Sequence, residues 1–246
     1  MRRLSLAALL LLPLFAACGG ASDLGETDDR IQGGKADSGD PAVGLLWIAS
    51  GGFCTGTLIA PQVVLTAAHC VKDRVATFYT GRGAATSSVG QPTNMAAHAV
   101  DKQAGYPSYA GGTCPNTSGD LGLVHLAQPI TDITPVKFAT SARATVGQSC
   151  TIVGFGAHGS GSSATYEQKR KATSTVTGVA PAVITVGTGS GLADHGDSGG
   201  PLICGGAIAG ATSCHDDGDY PAHQIEYYAR VDAFSSWITA TVARWR

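Results

Sequence analysis

The chain has 246 residues, of which only 14% are charged, and it contains 34 glycines. This length suits two small domains or one large β domain, and the formal net charge of −2 gives no reason to expect nucleic acid or an anionic membrane surface as a partner. Short runs of Gly, Thr, Ser and Val favour many short strands joined by turns over long helices.

The N-terminus has the pattern of an export signal. A positive start, Met1-Arg2-Arg3, precedes an apolar run (LSLAALLLLPLFAA) that is too short for a comfortable membrane span. We therefore expect residues 1–17 to be a signal peptide. Small residues before Cys18 resemble a bacterial lipoprotein processing site, although Phe15 replaces the usual aliphatic residue. The alternative is ordinary cleavage near Ala17, with Cys18 incidental.

The rest of the chain divides into a polar lead and a strand-rich body. Residues 18–30 end in ASDLGETDDR, which predicts a linker or pro-segment. Strand-like runs follow: GLLWIAS, FCTGTLIAP, VVLTAAHC, VATFYTG, LGLVHL, SCTIVGFG, STVTGV, AVITVG, GPLICGGAIAGA and EYYARV. Residues 128–140, which contain two prolines, are expected to join two halves, and GSGSS at 159–163 is expected to be an exposed loop.

Only the C-terminal segment has helical spacing of its apolar residues. In VDAFSSWITATVARW these are Phe234, Trp237, Ile238, Val242 and Trp245. We expect this helix to pack against the strands that precede it.

Three stretches carry residues suited to nucleophilic catalysis. HGDSGGP places Ser198 between glycines, which allow a tight turn and a close approach of backbone N–H groups to a substrate. LTAAHC places His69 after an apolar strand, and DLGLVHL places Asp120 before another. A serine hydroxyl needs a base, and the base needs a group that orients it. Together the three supply a nucleophile, a general base and an orienting carboxylate.

TAAHC, DLGLV and GDSGGP, in this order, resemble the catalytic motifs of the chymotrypsin/trypsin family of serine endopeptidases. RIQGG resembles that family's activation site, and the similarity runs from about Ile31 to the C-terminus. The resemblance implies an all-β fold of two packed six-stranded antiparallel β-barrels with a C-terminal α-helix. We place the N-terminal barrel at 31–135 and the C-terminal barrel plus helix at 136–246.

The resemblance also assigns roles to the residues. Ser198 would be the nucleophile, His69 the general base and Asp120 its orienting group, while the N–H groups of Gly196 and Ser198 would form the oxyanion hole. The expected function is peptide-bond hydrolysis through an acyl-enzyme.

By the same resemblance, cleavage after Arg30 would free the ammonium of Ile31, which would fold inward to pair with Asp197. Gln32 replaces the family's usual valine. The alternative is that Arg30 is merely an exposed basic site.

The chain has seven cysteines, an odd number that leaves six to pair if Cys18 carries a lipid or leaves with the pro-segment. The resemblance implies two bridges, Cys54–Cys70 and Cys150–Cys204. We propose a third, Cys114–Cys214, across the rim of the cleft. The alternative for the last pair is two unpaired thiols.

The expected specificity pocket departs from the family's pattern. Leu192 stands where trypsins carry an aspartate, and Ser213-Cys214-His215 replaces S-W-G. Glu226 stands where glycine is usual, so its carboxylate would either attract a basic side chain or fill the pocket and restrict it to small residues. We favour the first. CHDDGDYPAH (214–223) has no recognised metal-ligand spacing and is expected to be a solvated loop.

We therefore expect an exported serine endopeptidase with no cofactor or metal. It would be monomeric, would act on protein or peptide substrates and would need an activating protease, which could be the enzyme itself. Its location would be that of an outer-membrane or periplasmic lipoprotein, or of a secreted protein after cleavage at Arg30, with membrane contact only through a lipid on Cys18. One alternative is a weakly active or non-catalytic homologue that acts as a binding module. GDSGG also fits the G-x-S-x-G elbow of esterases, but the order His, Asp, Ser is wrong for that fold.

Overall fold

The computed structural model describes residues 31, 34–83, 90–116, 118–156, 168–187, 191–216 and 224–246. The expected signal peptide, the pro-segment with Cys18 and Arg30, Gln32 and the expected loop at 159–163 lie outside these residues. Within the described residues, no helix has the length and apolarity required to span a membrane.

The elements are numbered in chain order. They are β1 (Lys35–Ala36), β2 (Val43–Ile48), β3 (Phe53–Ala60), β4 (Val63–Thr66), β5 (Val75–Thr80), β6 (Ala96–Gly105), β7 (Gly122–Leu126), β8 (Ser149–Gly154), β9 (Arg170–Val179), β10 (Val183–Gly187), β11 (Pro201–Cys204), β12 (Ala207–His215), β13 (Ile225–Arg230) and α1 (Ser235–Arg244).

Six antiparallel strands close the first barrel in the order β2-β3-β4-β7-β6-β5. Alternate side chains point inward, and Leu46, Phe78 and Val124 are fully buried in its core. The runs read from the sequence include all of these strands except β6. That strand is mostly exposed and its sequence (AAHAVDKQAG) lacks a clear apolar alternation, so composition gave no signal for it.

The second barrel is also a closed ring of six antiparallel strands. The order β9-β10-β13-β12-β11-β8 is closed by pairing of β8 with β9, from Ser149 opposite Thr175 to Gly154 opposite Arg170. Val176, Leu202 and Tyr228 are fully buried in its core. The expected all-β fold of two six-stranded barrels is confirmed.

The first described residues lie with the second barrel, although the sequence division placed them with the first. β1 pairs with β9, Lys35 opposite Lys171, and Ile31 packs in the core of the second barrel. The chain crosses between the barrels at 136–139, because the Val136 N–H donates to the Leu58 carbonyl and the Ala139 N–H donates to that of Ile208. This crossing falls within the expected linker.

The C-terminal helix is confirmed, and it packs on both barrels. Ile238 and Val242 are buried in a cluster formed by side chains of the first barrel (Val63, Leu65, Leu121, Leu123) and of the second (Ile208, Ala211, Ala229, Val231). Phe234, Trp237 and Trp245 pack against the same cluster. The helix therefore helps to fix the two barrels relative to one another, and hence the cleft between them.

Candidate active site

His69 and Asp120 are brought together by the pairing of β4 with β7. Thr66 at the end of β4 lies opposite Gly122 at the start of β7, so the residues just beyond these ends are neighbours. The His69 Nδ1 atom lies 2.8 Å from Asp120 Oδ2, and the His69 backbone N–H donates to Oδ1 at 2.9 Å. The Asp120 side chain is 1% exposed and that of His69 is 29% exposed. The imidazole is therefore anchored at Nδ1 and partly exposed on the side of the cleft.

Asp120 is ionised despite its burial. Burial alone would raise the pKa of its carboxyl, but hydrogen bonds from His69 and Ser213 outweigh that effect and hold the pKa below its usual value. The Ser213 hydroxyl donates to Asp120 Oδ2 at 2.6 Å. A carboxylate with these donors keeps the proton of the imidazole on Nδ1 and leaves Nε2 as the base.

Ser198 lies on a turn of the second barrel that docks against the first. The Thr55 N–H donates to the Ser198 carbonyl at 2.9 Å, and the Thr55 hydroxyl donates to the Gly196 carbonyl at 2.9 Å. Gly199 has a φ of +80°, and a Cβ there would collide with the Thr66 hydroxyl and the Ala67 backbone. Only glycine permits this contact. The turn is thus held beside the segment that carries His69.

The backbone N–H groups of Gly196 and Ser198 have no protein acceptor within the described part of the chain. Gly196 adopts a φ of +94°, and the ring of Phe53 occupies the space that a Cβ would need. Two such donors, one on each side of Asp197, can stabilise an oxygen that gains negative charge.

A cavity of about 240 Å³ opens beside Ser198. Its lining includes three of the residues expected to bind substrate, which are Ser213, His215 and Glu226. Leu192 is not among the described lining residues. It is buried, 6% exposed, and Ala193 and Asp194 line the wall instead. The expectation that Leu192 forms the base of the pocket stays a prediction, and Glu226 contributes a buried carboxyl to the wall of the cavity.

Glu226 is almost completely buried, at 1% exposed. The Tyr228 hydroxyl donates to Glu226 Oε2 at 2.8 Å, and the Ala193 N–H also donates to the carboxyl. Burial raises the pKa of Glu226 well above its usual value, the Tyr228 hydrogen bond opposes this, and the negative charge of Asp197 adds to it. A cation entering the cavity would favour the ionised carboxylate.

Asp197 lies behind the Ser198 turn and is also buried, at 1% exposed. The N–H groups of Gly156 and Asp194 donate to its two oxygens at 2.7 and 2.9 Å. Burial nevertheless raises its pKa to about 7. Among the described residues, no Lys, Arg or His pairs with this carboxylate.

Ile31 is already buried with the chain uncut, at 1% exposed. Its side chain lies in the core of the second barrel, whereas the sequence reading had it fold inward only after cleavage. Its φ is +30°, a value that β-branched residues rarely adopt. The Gly34 N–H closes a tight turn onto the Ile31 carbonyl at 2.6 Å.

Among the described residues, three disulfides are present, which are Cys54–Cys70, Cys114–Cys214 and Cys150–Cys204. The first lies within the first barrel and the third within the second. Cys114–Cys214 joins the loop before Asp120 to β12, with its Cα atoms 6.1 Å apart, and therefore ties one side of the cleft to the other. Disulfides are typical of proteins outside the cytoplasm.

Two residues near the site were not anticipated from the sequence. Thr55, next to Cys54, makes the hydrogen bonds that dock the Ser198 turn. The Tyr109 phenol hydrogen-bonds to Asp120, and burial together with this carboxylate raises its pKa to about 12. Neither belongs to a motif that signals chemistry, so only its neighbours in space reveal its role.

One group of metal-ligand side-chain types lies at the site, formed by Cys54, His69 and Cys70. The two sulfur atoms are joined in a disulfide, so this group offers no thiolate.

The fold and this arrangement define a chymotrypsin-like serine endopeptidase, with a His–Asp pair from one barrel and a serine on a glycine-rich turn of the other. The family model for trypsin matches residues 31–238. Trypsin-1 of Salmo salar is 30% identical over 238 residues, covering 88% of this chain and 92% of that protein. Kallikrein-4 of Homo sapiens is 28% identical over 206 residues, covering 77% and 78%. Among solved structures, mouse neuropsin, a serine protease, aligns with a TM-score of 0.71 at 24% identity and covers 85% of this chain and 98% of its own. The chain belongs to the trypsin family.

Proposed function

We propose that this protein hydrolyses peptide bonds through Ser198, His69 and Asp120. The observation that carries the proposal is the 2.8 Å contact between His69 Nδ1 and Asp120 Oδ2, with Ser198 lining the adjacent cavity. The hydrogen bonds that Asp120 accepts from His69 and Ser213 hold its pKa low despite its burial, which supports an ionised partner for the imidazole.

In the proposed mechanism, His69 Nε2 takes the proton from Ser198 Oγ as that oxygen attacks the carbonyl carbon of the peptide. The N–H groups of Gly196 and Ser198 stabilise the oxyanion. His69 then gives its proton to the leaving amine, which leaves an acyl group on Ser198. Water, deprotonated by His69, hydrolyses this ester and regenerates the serine.

We propose that cleavage between Arg30 and Ile31 activates the enzyme. The buried Asp197 carboxylate has N–H donors but no cation among the described residues, and Ile31 already lies in the core of the same barrel. A new α-ammonium on Ile31 would supply that cation, and a free terminus would no longer hold Ile31 at its unfavourable φ. The proposed activating protease is this enzyme or another.

For substrate preference, the sequence left open whether Glu226 attracts a basic side chain or fills the pocket. The cavity of about 240 Å³ beside its carboxylate supports the first alternative. We therefore propose that substrates present a lysine or arginine to Glu226, with Ser213 and His215 on the walls.

We propose export, zymogen synthesis and a bacterial origin from the N-terminal sequence. The relatives compared above are animal proteins, so the bacterial origin rests on that sequence alone. If Cys18 is lipidated, cleavage at Arg30 would also release the enzyme from its anchor. Active enzyme that begins at Ile31 but remains bound to membranes would contradict this coupling.

The test is labelling with a fluorophosphonate probe before and after cleavage at Arg30, with Ser198→Ala as the control. We expect strong labelling of the cleaved form and none of the variant. Equal labelling of both forms would retain the protease and discard the activation switch. No labelling of the form that begins at Ile31 would favour the binding module, an alternative suggested by the altered cleft.

A further inference from the structure

A groove of about 450 Å³ lies on the outside of the second barrel, and it shares no lining residue with the cavity beside Ser198. Residues of β1, β8, β9 and β11 line it. Two of them, Thr151 and Ile203, are next in sequence to the core residues Ile152 and Leu202 and therefore point away from the core. The groove is thus a surface that the proposed catalytic residues do not use.

One wall of the groove is built on a fixed pair of lysines and aspartates. Lys171 Nζ lies 3.0 Å from both Asp37 Oδ1 and Asp40 Oδ2. The buried Lys169 Nζ lies 3.6 Å from Asp37 Oδ2 and donates to the Asp40 carbonyl at 2.6 Å. Hydrogen bonds with the two aspartates raise the pKa of Lys171, so this lysine stays charged. The charges of these four groups balance.

Two further cations leave this surface with an excess of positive charge. The exposed Lys35 lines the groove and lies opposite Lys171 in the pairing of β1 with β9. Arg170 lies opposite Ala36, and its guanidinium donates to the Gly34 carbonyl at 2.5 Å. Lys35 and Arg170 are not matched by a third or fourth carboxylate in this group, so we call the surface the basic groove.

The chain that precedes Ile31 starts at the edge of the basic groove. A Cβ on Gly34 would lie 2.7 Å from the Ile31 carbonyl oxygen and 3.0 Å from that of Lys171, so Ile31 is a neighbour of the strand that forms the groove. The ten residues before it, ASDLGETDDR, carry one cation and four carboxylates, which are Asp23, Glu26, Asp28 and Asp29. An extended chain covers about 3.3–3.6 Å per residue, so all four carboxylates lie within roughly 30 Å of Ile31.

We propose that the acidic segment 21–29 docks in the basic groove of the uncut chain, with its carboxylates against Lys35 and Arg170, and that docking shields the bond between Arg30 and Ile31 from proteases. Charge complementarity and the short connection to Ile31 support this occupant. The shielding rests on the proposed activation, whereas the docking does not.

The docking depends on the covalent connection. Exposed ion pairs are weak one by one, but a short tether gives the segment a high effective concentration at the groove. Cleavage after Arg30 removes the tether, so the cut segment should leave. Salt should also release it, because the screening length falls to about 3 Å at roughly 1 M salt.

Docking is tested on the uncut, inactive Ser198→Ala chain by carbodiimide cross-linking, which joins carboxylates to amines in contact, followed by mass spectrometry. We expect Lys35 to be linked to carboxylates of residues 23–29 at low salt and not at high salt. Lys137, an exposed lysine between the barrels, is the matched control and should form no such links. Links spread equally over both lysines would overturn the proposal. Links between two molecules, recognised by mixing isotope-labelled and unlabelled chains, would assign the groove to a second copy and would also overturn it.

Shielding is tested by the rate at which an added protease that cuts after arginine cleaves Ser198→Ala at Arg30. Lys35→Gln should speed cleavage by roughly threefold, the value of one or two exposed ion pairs, and Lys137→Gln should leave the rate unchanged. Asp23→Asn with Glu26→Gln, which are remote from the scissile bond, should give a similar increase. Combining these changes with Lys35→Gln should add little, because both remove the same contacts.

Equal cleavage rates in the Lys35 and Lys137 variants would refute the shielding. Fully additive effects of the segment and groove substitutions would refute the contact between them. Absence of fluorophosphonate labelling in the cut form would overturn the proposed function and leave the cross-linking result standing.

Discussion

Asp197→Asn is expected to have opposite effects on the uncut and the cut chain. In the uncut chain, held intact by Arg30→Gln, the buried carboxylate has no cation among its described neighbours, and its pKa is about 7 against an ordinary value of 3.8. At about 1.4 kcal/mol for each pH unit, ionised Asp197 costs the uncut fold up to about 4 kcal/mol.

The sign of the pH dependence follows from linkage. Since the folded-state pKa lies above the ordinary value, the folded chain binds this proton more tightly than the unfolded chain. The resulting stabilisation is fully present below the ordinary pKa of 3.8 and is lost as the pH rises through about 7. The uncut chain should therefore lose stability over this window, and Asp197→Asn should remove the loss.

Under the proposed activation, the same substitution in the cut chain would leave the Ile31 ammonium without its partner. Breaking a buried pair from one side costs about 3–5 kcal/mol, so Asp197→Asn should destabilise this form and abolish its labelling.

The assay is urea unfolding of both forms across this pH window, with Asp73→Asn, at an exposed carboxylate, as the control. The reasoning would be refuted if the uncut chain kept constant stability over the window. It would also be refuted if Asp197→Asn destabilised the uncut chain as much as the cut one.

Three further predictions concern the cleft. Ser213→Ala removes a donor to Asp120, so kcat/KM should fall by roughly tenfold, the value of one hydrogen bond to a charged group. The acid limb of the pH profile of kcat/KM should also move to higher pH. An unchanged profile would contradict the role of Ser213. Glu226→Gln should lower kcat/KM for lysine and arginine substrates by at least about tenfold while sparing neutral ones. Because burial raises the Glu226 pKa, the wild-type preference for basic substrates should grow with rising pH, and a pH-independent preference would count against it. Replacing Cys114 and Cys214 together by Ser opens a bridge of sequence separation 100, so urea unfolding should show a loss of up to about 5 kcal/mol. KM should also rise more than kcat falls. An unaltered KM would show that the bridge does not shape the cleft.

Local patterns in the sequence predicted most of the strands and the C-terminal helix, and the resemblance of its ordered motifs to the chymotrypsin/trypsin family implied the two barrels. The strands of the barrels are short, half-buried and bounded by glycine, so alternation and composition reveal most of them. β6 escaped because its mostly exposed residues have no apolar face to detect. The place of Leu192 in the sequence does not fix the direction of its side chain, because that direction depends on how the loop packs.

The sequence by itself determined which residues could do chemistry, because His69, Asp120 and Ser198 each lie in a short motif whose residue types the reaction needs. Only the tertiary structure decided what surrounds them. Thr55 docks the Ser198 turn, Glu226 lines the cavity, and His195 meets His215 across it. Burial and distance arise from contacts between segments far apart in the chain, and no local pattern encodes them.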